Sequence, residues 1–340
     1  MYWATTDGMV VLAFNGTRLW HVETSNPRAN QPTLLEGDIV ILVNSSSVLA
    51  FNTVTGRSLW SRNTARGTQA SPTIVAVLPN STLVVSSCEP GGDGNDSFID
   101  LIDAASGNVV LSYDAPFAYF GACASLALPS SKSPSGYQLV SHLQTSPSQL
   151  VSADLANPNT ILWAFGSYGT FYGNVQALTP DIVIVESTEP NVIFYAVDAS
   201  TGKSLWNYTG ASNVISGVPM SRVSANDFYI SLGPGQMTVI DVHSGRERIS
   251  QFINCQNCVA SGQPAVADST GQIFVSEGFN SCVHSYEMQK TQLSQKWQSC
   301  VTHPTDWYPG LGTPAVGFDG SLYVVDYSAQ GGQSRLIKFS

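Results

Sequence analysis

Short apolar runs recur along the whole chain with a two-residue alternation, and Gly, Pro, Asn, Asp and Ser separate them. Ile39-Val-Ile-Leu-Val43, Leu83-Val-Val-Ser86, Phe228-Tyr-Ile-Ser231, Ile273-Phe-Val-Ser276 and Leu322-Tyr-Val-Val325 are strand-sized and show no helical period. A Pro followed by a short apolar strand stands before each, as in Pro32-Thr-Leu, Pro72-Thr-Ile-Val, Pro219-Met, Pro264-Ala-Val and Pro314-Ala-Val. The pattern predicts an all-β protein.

A repeat organises these strands. Leu49-Ala-Phe-Asn-Thr-Val-Thr-Gly56-Arg-Ser-Leu-Trp60 and Tyr195-Ala-Val-Asp-Ala-Ser-Thr-Gly202-Lys-Ser-Leu-Trp206 are near-copies. Looser copies place the same polar residue at Asn15, Asp103, Asp154, Asp241, Glu287 and Lys338, at intervals of 37 to 51 residues. That spacing fits a four-stranded propeller blade of ~45 residues. The grammar has a physical cause. Asn or Asp ends a strand and bonds the following turn. Gly supplies the positive φ of a tight hairpin, and a Trp four residues on can wedge against a neighbouring sheet.

These residues resemble the pyrroloquinoline-quinone-like (PQQ-like) β-propeller repeat, a strand followed by Ala-x-Asp-x-x-Thr-Gly and then Trp. The resemblance covers nearly the whole chain and implies a single domain over residues 1–340. The expected fold is an eight-bladed propeller of four-stranded antiparallel blades, with seven blades as the alternative. The motif phase leaves the terminal blades incomplete, the first without an opening strand and the last without a closing one. Such edges invite strand pairing, so either the chain is part of a longer one or a partner strand completes it.

Composition narrows the function classes. Charged residues are only 11% of the chain and the net charge is −10, with no Lys/Arg cluster, so a nucleic-acid partner is not expected. No apolar run approaches the ~20 residues of a membrane span. The six Cys and the sequons at Asn15, Asn44, Asn80, Asn95 and Asn207 point to disulfides and glycans, hence an extracellular or cell-surface protein. Met1-Tyr-Trp-Ala-Thr-Thr reads as a strand rather than as a signal peptide, so a secretion signal is not expected within these residues. Placed on blades, Cys88 and Cys123 face each other across an interface, and Cys282 and Cys300 share a hairpin. Cys255 is left to Cys258, whose C-x-x-C spacing also suits zinc.

The links from a blade's last strand to the next blade's first hold the ligand-binding candidates, aromatic but for one Asp. They are Phe117, Tyr119 and Phe120; Tyr168, Phe171 and Tyr172; and Asp306, Trp307 and Tyr308. Aromatics on Gly-rich loops suit a planar ring or a sugar face, and they equally suit packing between blades. The acidic loop Glu89-Pro-Gly-Gly-Asp93-Gly-Asn95-Asp96 reads as a solvated hairpin or a Ca²⁺ site. The five His are dispersed, and hydrolase, nucleotide and zincin signatures are absent. Quinoprotein dehydrogenases of the superfamily clamp their quinone with adjacent cysteines, and no two Cys are adjacent here. The resemblance therefore implies a non-catalytic binding or assembly scaffold with no cofactor. Its expected partner is a protein or glycan, or further copies of the chain joined through open edge strands. The alternative is a PQQ- and calcium-dependent dehydrogenase of alcohols or sugars.

Overall fold

In the computed structural model the alternating segments form strands throughout. It describes the chain except residues 1, 6–7, 14–16, 25–31, 65–70, 89–97, 115–124, 144–148, 167–170, 188–191, 210–219, 223, 225–226, 234–235, 253–265, 268–270, 278–281, 302–308, 312–313, 317–319, 329–333 and 340. Among the described residues the fold is an all-β propeller of six four-stranded antiparallel blades. In each, the four strands are hydrogen-bonded in chain order. Blade I spans residues 33–63, II 71–114, III 125–166, IV 171–209, V 220–252 and VI 266–300. A three-stranded sheet at 2–23 precedes them. In a sheet at 309–339, Pro309–Leu311 and Ala315–Val316 both pair with Leu322–Ser328, which also pairs with Ser334–Phe339.

The expectation of eight four-stranded blades, or of seven, is corrected to six. The cause lies in what the motif marks, namely the hairpin between a third and a fourth strand. The same hairpin forms in the three-stranded sheet at 2–23, where Leu12 pairs with Arg18. Counting motifs therefore counts hairpins rather than complete blades.

By compactness the chain falls into two units, Met1–Val185 with Asp198–Lys203 and Glu186–Val197 with Ser204–Ser340. In the first, Ile41, Val43, Val48 and Ala50 of blade I pack on Leu83, Val85 and Ile102 of blade II. Val84, Ile99 and Leu101 of blade II pack in turn on Ala127, Leu139 and Leu155 of blade III. In the second, Met237, Val239 and Ile249 of blade V meet Ile273, Val275, Tyr286 and Leu293 of blade VI. Alternate side chains of one strand thus face opposite neighbours, which is why the second strands read as near-continuous apolar runs. Each aliphatic buried this way stabilises by about 1.5–3 kcal/mol, so the joints between sheets hold most of the core.

The third and fourth strands share a further irregularity. Their register shifts just before the motif residue, at Ala50/Phe51, Leu101/Ile102, Ala196/Val197 and Val239/Ile240. A bulge here sharpens local twist and leads into the turn that follows.

Candidate functional site

The motif turn is built identically in blades I, II, IV and V. Backbone N–H groups of Gly56, Gly107, Gly202 and Gly245 donate to the carbonyls of Asn52, Asp103, Asp198 and Asp241 at 2.8–2.9 Å. The glycines have φ of 69°, 73°, 69° and 67°. The polar side chain gathers the turn's free donors. Asp198 Oδ1 accepts from the N–H and hydroxyl of Thr201, both at 2.7 Å, and from those of Ser200 at 3.0 and 2.8 Å. Asn52 does the same with Val54 and Thr55, Asp103 with Ser106, and Asp241 with His243 and Ser244.

These bonds favour the ionised carboxylate. At Asp103 the Ser106 hydroxyl, then its N–H, holds the carboxyl below its ordinary range. The Ser244 hydroxyl does so at Asp241, against an opposing effect of burial. At Asp198 burial acts upward, but the bonds from Thr201 and Ser200 together outweigh it and the carboxyl stays low.

The turn glycine also receives the preceding sheet. Trp20, Trp60, Trp163 and Trp206 donate from Nε1 to the carbonyls of Thr53, Ala104, Ala199 and Val242 at 2.8–3.0 Å. In each case the acceptor is the residue after the motif Asn or Asp. The indole lies flat on the glycine. A Cβ added at Gly56, Gly107, Gly202 or Gly245 would come within 2.5–2.7 Å of the ring. So each glycine is required twice, by its backbone angle and by its neighbour's Trp.

Two joints lack this pair. Blade II has Leu111 where Trp would stand, and blade III turns through Leu155-Ala156 with no glycine. There the Tyr113 hydroxyl donates to the Leu155 carbonyl at 2.8 Å, the same acceptor position after the motif residue. Burial, with the charge of Asp154 adding to it, pushes the Tyr113 phenol far up, so it stays a donor. Asp154 caps the hairpin loop Ser130–Tyr137 as well as the Asn157 N–H of its own turn. It accepts from the Ser133 hydroxyl and from the Ser135 N–H, the latter at 2.9 Å. In the other joint, blade V has Ile249 at the Trp position and blade VI turns through Gln289–Gln292 without glycine. The Gln251 amide donates to the Leu293 carbonyl at 3.0 Å and accepts from its N–H at 2.9 Å. Sequence reading missed Tyr113 and Gln251, because their partners are main-chain atoms, and Ser133, whose partner Asp154 is 21 residues away.

The sequence-predicted site residues divide as follows. Phe117, Tyr119, Phe120, Tyr168, Asp306, Trp307 and Tyr308 lie outside the described residues, as do Cys123, Cys255, Cys258, Asn15, Asn95 and the acidic loop 89–96. Phe171 and Tyr172 open the first strand of blade IV, and Cys88 closes the second strand of blade II; only their backbone is described. Cys282 and Cys300 are joined as a disulfide. Asn80 and Asn207 are exposed. Asn44 is buried, its Oδ1 accepting from the Ser46 and Ser47 N–H groups at 3.0 and 2.6 Å, which leaves it a turn cap. Among the described residues no group of His, Cys, Asp or Glu could hold a metal ion, and no helix is long and apolar enough to cross a membrane.

Because strands alternate in direction, the motif turns and the blade-to-blade links leave each sheet at opposite ends. The capped turns of blades I, II, IV and V are spent on joints, and the fourth strand of each blade ends away from its turn. Together these features define a β-propeller built on Asp/Asn–Gly turns and docked Trp. The chain belongs to the PQQ-like family described as "Outer membrane protein assembly factor BamB", which matches residues 1–116 and 102–329.

Solved structures share the fold. BamB from Moraxella catarrhalis is 13% identical with a TM-score of 0.60, covering 100% of this chain and 96% of that one. The C-terminal WD40 domain of Sif2 is 12% identical with a TM-score of 0.65, covering 100% and 91%. Dihydro-heme d1 dehydrogenase NirN is 9% identical with a TM-score of 0.70, covering 100% and 72%. No curated protein sequence matches the chain.

Proposed function

We propose that this protein is a non-catalytic binding scaffold that engages another protein through the blade-to-blade links, in an oxidising compartment outside the cytosol. The observation that supports it most is membership, across residues 1–329, of a family described as an outer membrane protein assembly factor. The division of labour in blades I, II, IV and V agrees. The Asp–Gly end is occupied by its own caps and by the neighbouring Trp, which leaves the opposite end to recognition. Phe117, Tyr119, Phe120, Tyr168, Phe171, Tyr172, Asp306, Trp307 and Tyr308 are the contact candidates. Aromatic residues suit protein interfaces, which are enriched in Tyr, Trp and Phe. The Cys282–Cys300 bridge fits the oxidising compartment.

Photo-crosslinking residues placed in turn at Tyr119, Tyr168, Tyr308, Val54 and Lys203 test the reading in the native cell. A protein adduct from the first three positions and none from the two turn positions is expected. Equal capture from both ends would overturn it, as would quinone- and Ca²⁺-dependent oxidation of primary alcohols or aldoses by the purified chain.

A further inference from the structure

The cystine of blade VI is asymmetric. Cys282 opens the third strand, Cys282–Met288, and Cys300 closes the fourth, Leu293–Cys300. The two residues stand directly opposite in the ladder, with Cα atoms 4.0 Å apart. Cys282 is only 4% exposed, on the face of its strand that also bears Tyr286 of the blade V–VI core. Cys300 is exposed, and its strand is the last of the blade, with no further strand beside it among the described residues. The Gln298 side-chain amide donates to Cys300 Sγ at 3.4 Å.

Thiol–disulfide exchange needs access to one sulfur and a leaving group for the other, and exposed cystines are the ones that exchange. Here access belongs to Cys300, whose Sγ also accepts from the Gln298 amide, while Cys282 is the buried partner. We infer that Cys282–Cys300 is an exchange site for vicinal dithiols, entered at Cys300. A donor thiolate bonds to Cys300 Sγ as the cystine S–S bond breaks. The electron pair leaves on Cys282, which takes a proton from solvent. The donor's second thiol then loses its proton and attacks the donor sulfur of the mixed disulfide. Cys300 leaves as the thiolate, beside the Gln298 N–H that stabilises its charge, and is protonated in turn. Two electrons and two protons pass from the dithiol, now a disulfide, to the two cysteines. The bridge borders the blade V–VI joint, one of the two that have no Trp–Gly pair. Reduction therefore unlinks the third and fourth strands of blade VI at the end of their hairpin away from its turn.

The test uses the whole folded chain. One arm receives dithiothreitol, a second a reduced thioredoxin-type dithiol protein, and a third glutathione disulfide with glutathione to trap mixed disulfides. Each is quenched with a maleimide and mapped by peptide mass. Reduction of Cys282–Cys300 at least tenfold faster than global unfolding, at a rate unchanged by sub-denaturing urea, is the expected result. The arm that works names the donor as a small thiol or a protein. The glutathione adduct is expected on Cys300. Reduction that keeps pace with unfolding in both dithiol arms, or an adduct on Cys282, would overturn the inference.

Discussion

The joint between blades IV and V and the joint between blades V and VI do the same work with different parts. In the first, Trp206 lies on Gly245 and bonds the Val242 carbonyl. In the second, Ile249 replaces the indole, the next turn has no glycine, and Gln251 clamps both backbone groups of Leu293. Among the described joints that end on a third-to-fourth-strand turn, Trp and Gly are present together at four and absent together at two, the other being blades II and III with Tyr113. Within one chain this pairing shows that the turn glycine answers to the neighbouring sheet as much as to its own φ. What these six joints keep is a bond from a fourth-strand side chain to main-chain atoms at or beside the next turn. The side chain supplying it is free to change. Trp297 of blade VI instead stacks on Phe339 of the sheet at 309–339.

The comparison can be broken hardest at the glycine. Gly245→Ala places a Cβ 2.5 Å from the Trp206 ring at a φ of 67°. It is expected to cost about 3 kcal/mol or more, the αL penalty of ~1–2 kcal/mol plus much of a buried Trp's packing. Gly136 has a φ of 80° with nothing within 4 Å of an added Cβ. Gly136→Ala should therefore cost only the backbone share, about 1 kcal/mol. Urea denaturation of the two variants side by side separates ring clash from backbone strain.

Gln251→Ala should cost about 1–2 kcal/mol, since it strips partners from a part-buried N–H and carbonyl at once. Amide exchange should rise at Leu293 and leave the Trp–Gly joints unchanged. Tyr113→Phe removes one hydrogen bond and little volume, for about 1 kcal/mol. A loss as large as a Trp truncation would show that the hydroxyl is not what matters there.

The smallest effect concerns acid. The carboxyls of Asp198 and Asp241 are held below their unfolded range, so the stability they add is present above the unfolded value near ~3.9 and is lost as pH falls through the folded one. Blade I fills the same position with Asn52, which makes the same bonds without titrating. Asp198→Asn should accordingly flatten the fall in melting temperature below pH ~4 while leaving neutral stability nearly unchanged. A steeper fall would contradict the capping role.

The repeated parts were the legible ones. Asn52-Thr-Val-Thr-Gly56 and Asp198-Ala-Ser-Thr-Gly202 announce their turns, because cap and glycine sit at fixed offsets within a few residues. Cys282 and Cys300 could be paired because a hairpin puts them face to face. The blade number failed because the motif marks a hairpin, and a hairpin does not guarantee four strands. Asp154 shows a subtler limit. Its spacing in the sequence matches the motif, yet its two-residue turn offers only the Asn157 N–H, and the carboxylate also serves Ser133 and Ser135. Tyr113 and Gln251 were illegible for the reason that makes them interchangeable with Trp. A main-chain partner has no side-chain identity to betray it.

A double-mutant cycle on Trp206 and Gly245, read by urea denaturation, is the most direct test that the two are one unit. With Trp206→Leu in place, Gly245→Ala is expected to cost no more than Gly136→Ala, giving a coupling of about 2 kcal/mol. If the two costs instead add to within ~0.5 kcal/mol, the glycine serves its own turn alone and the paired-joint account is wrong.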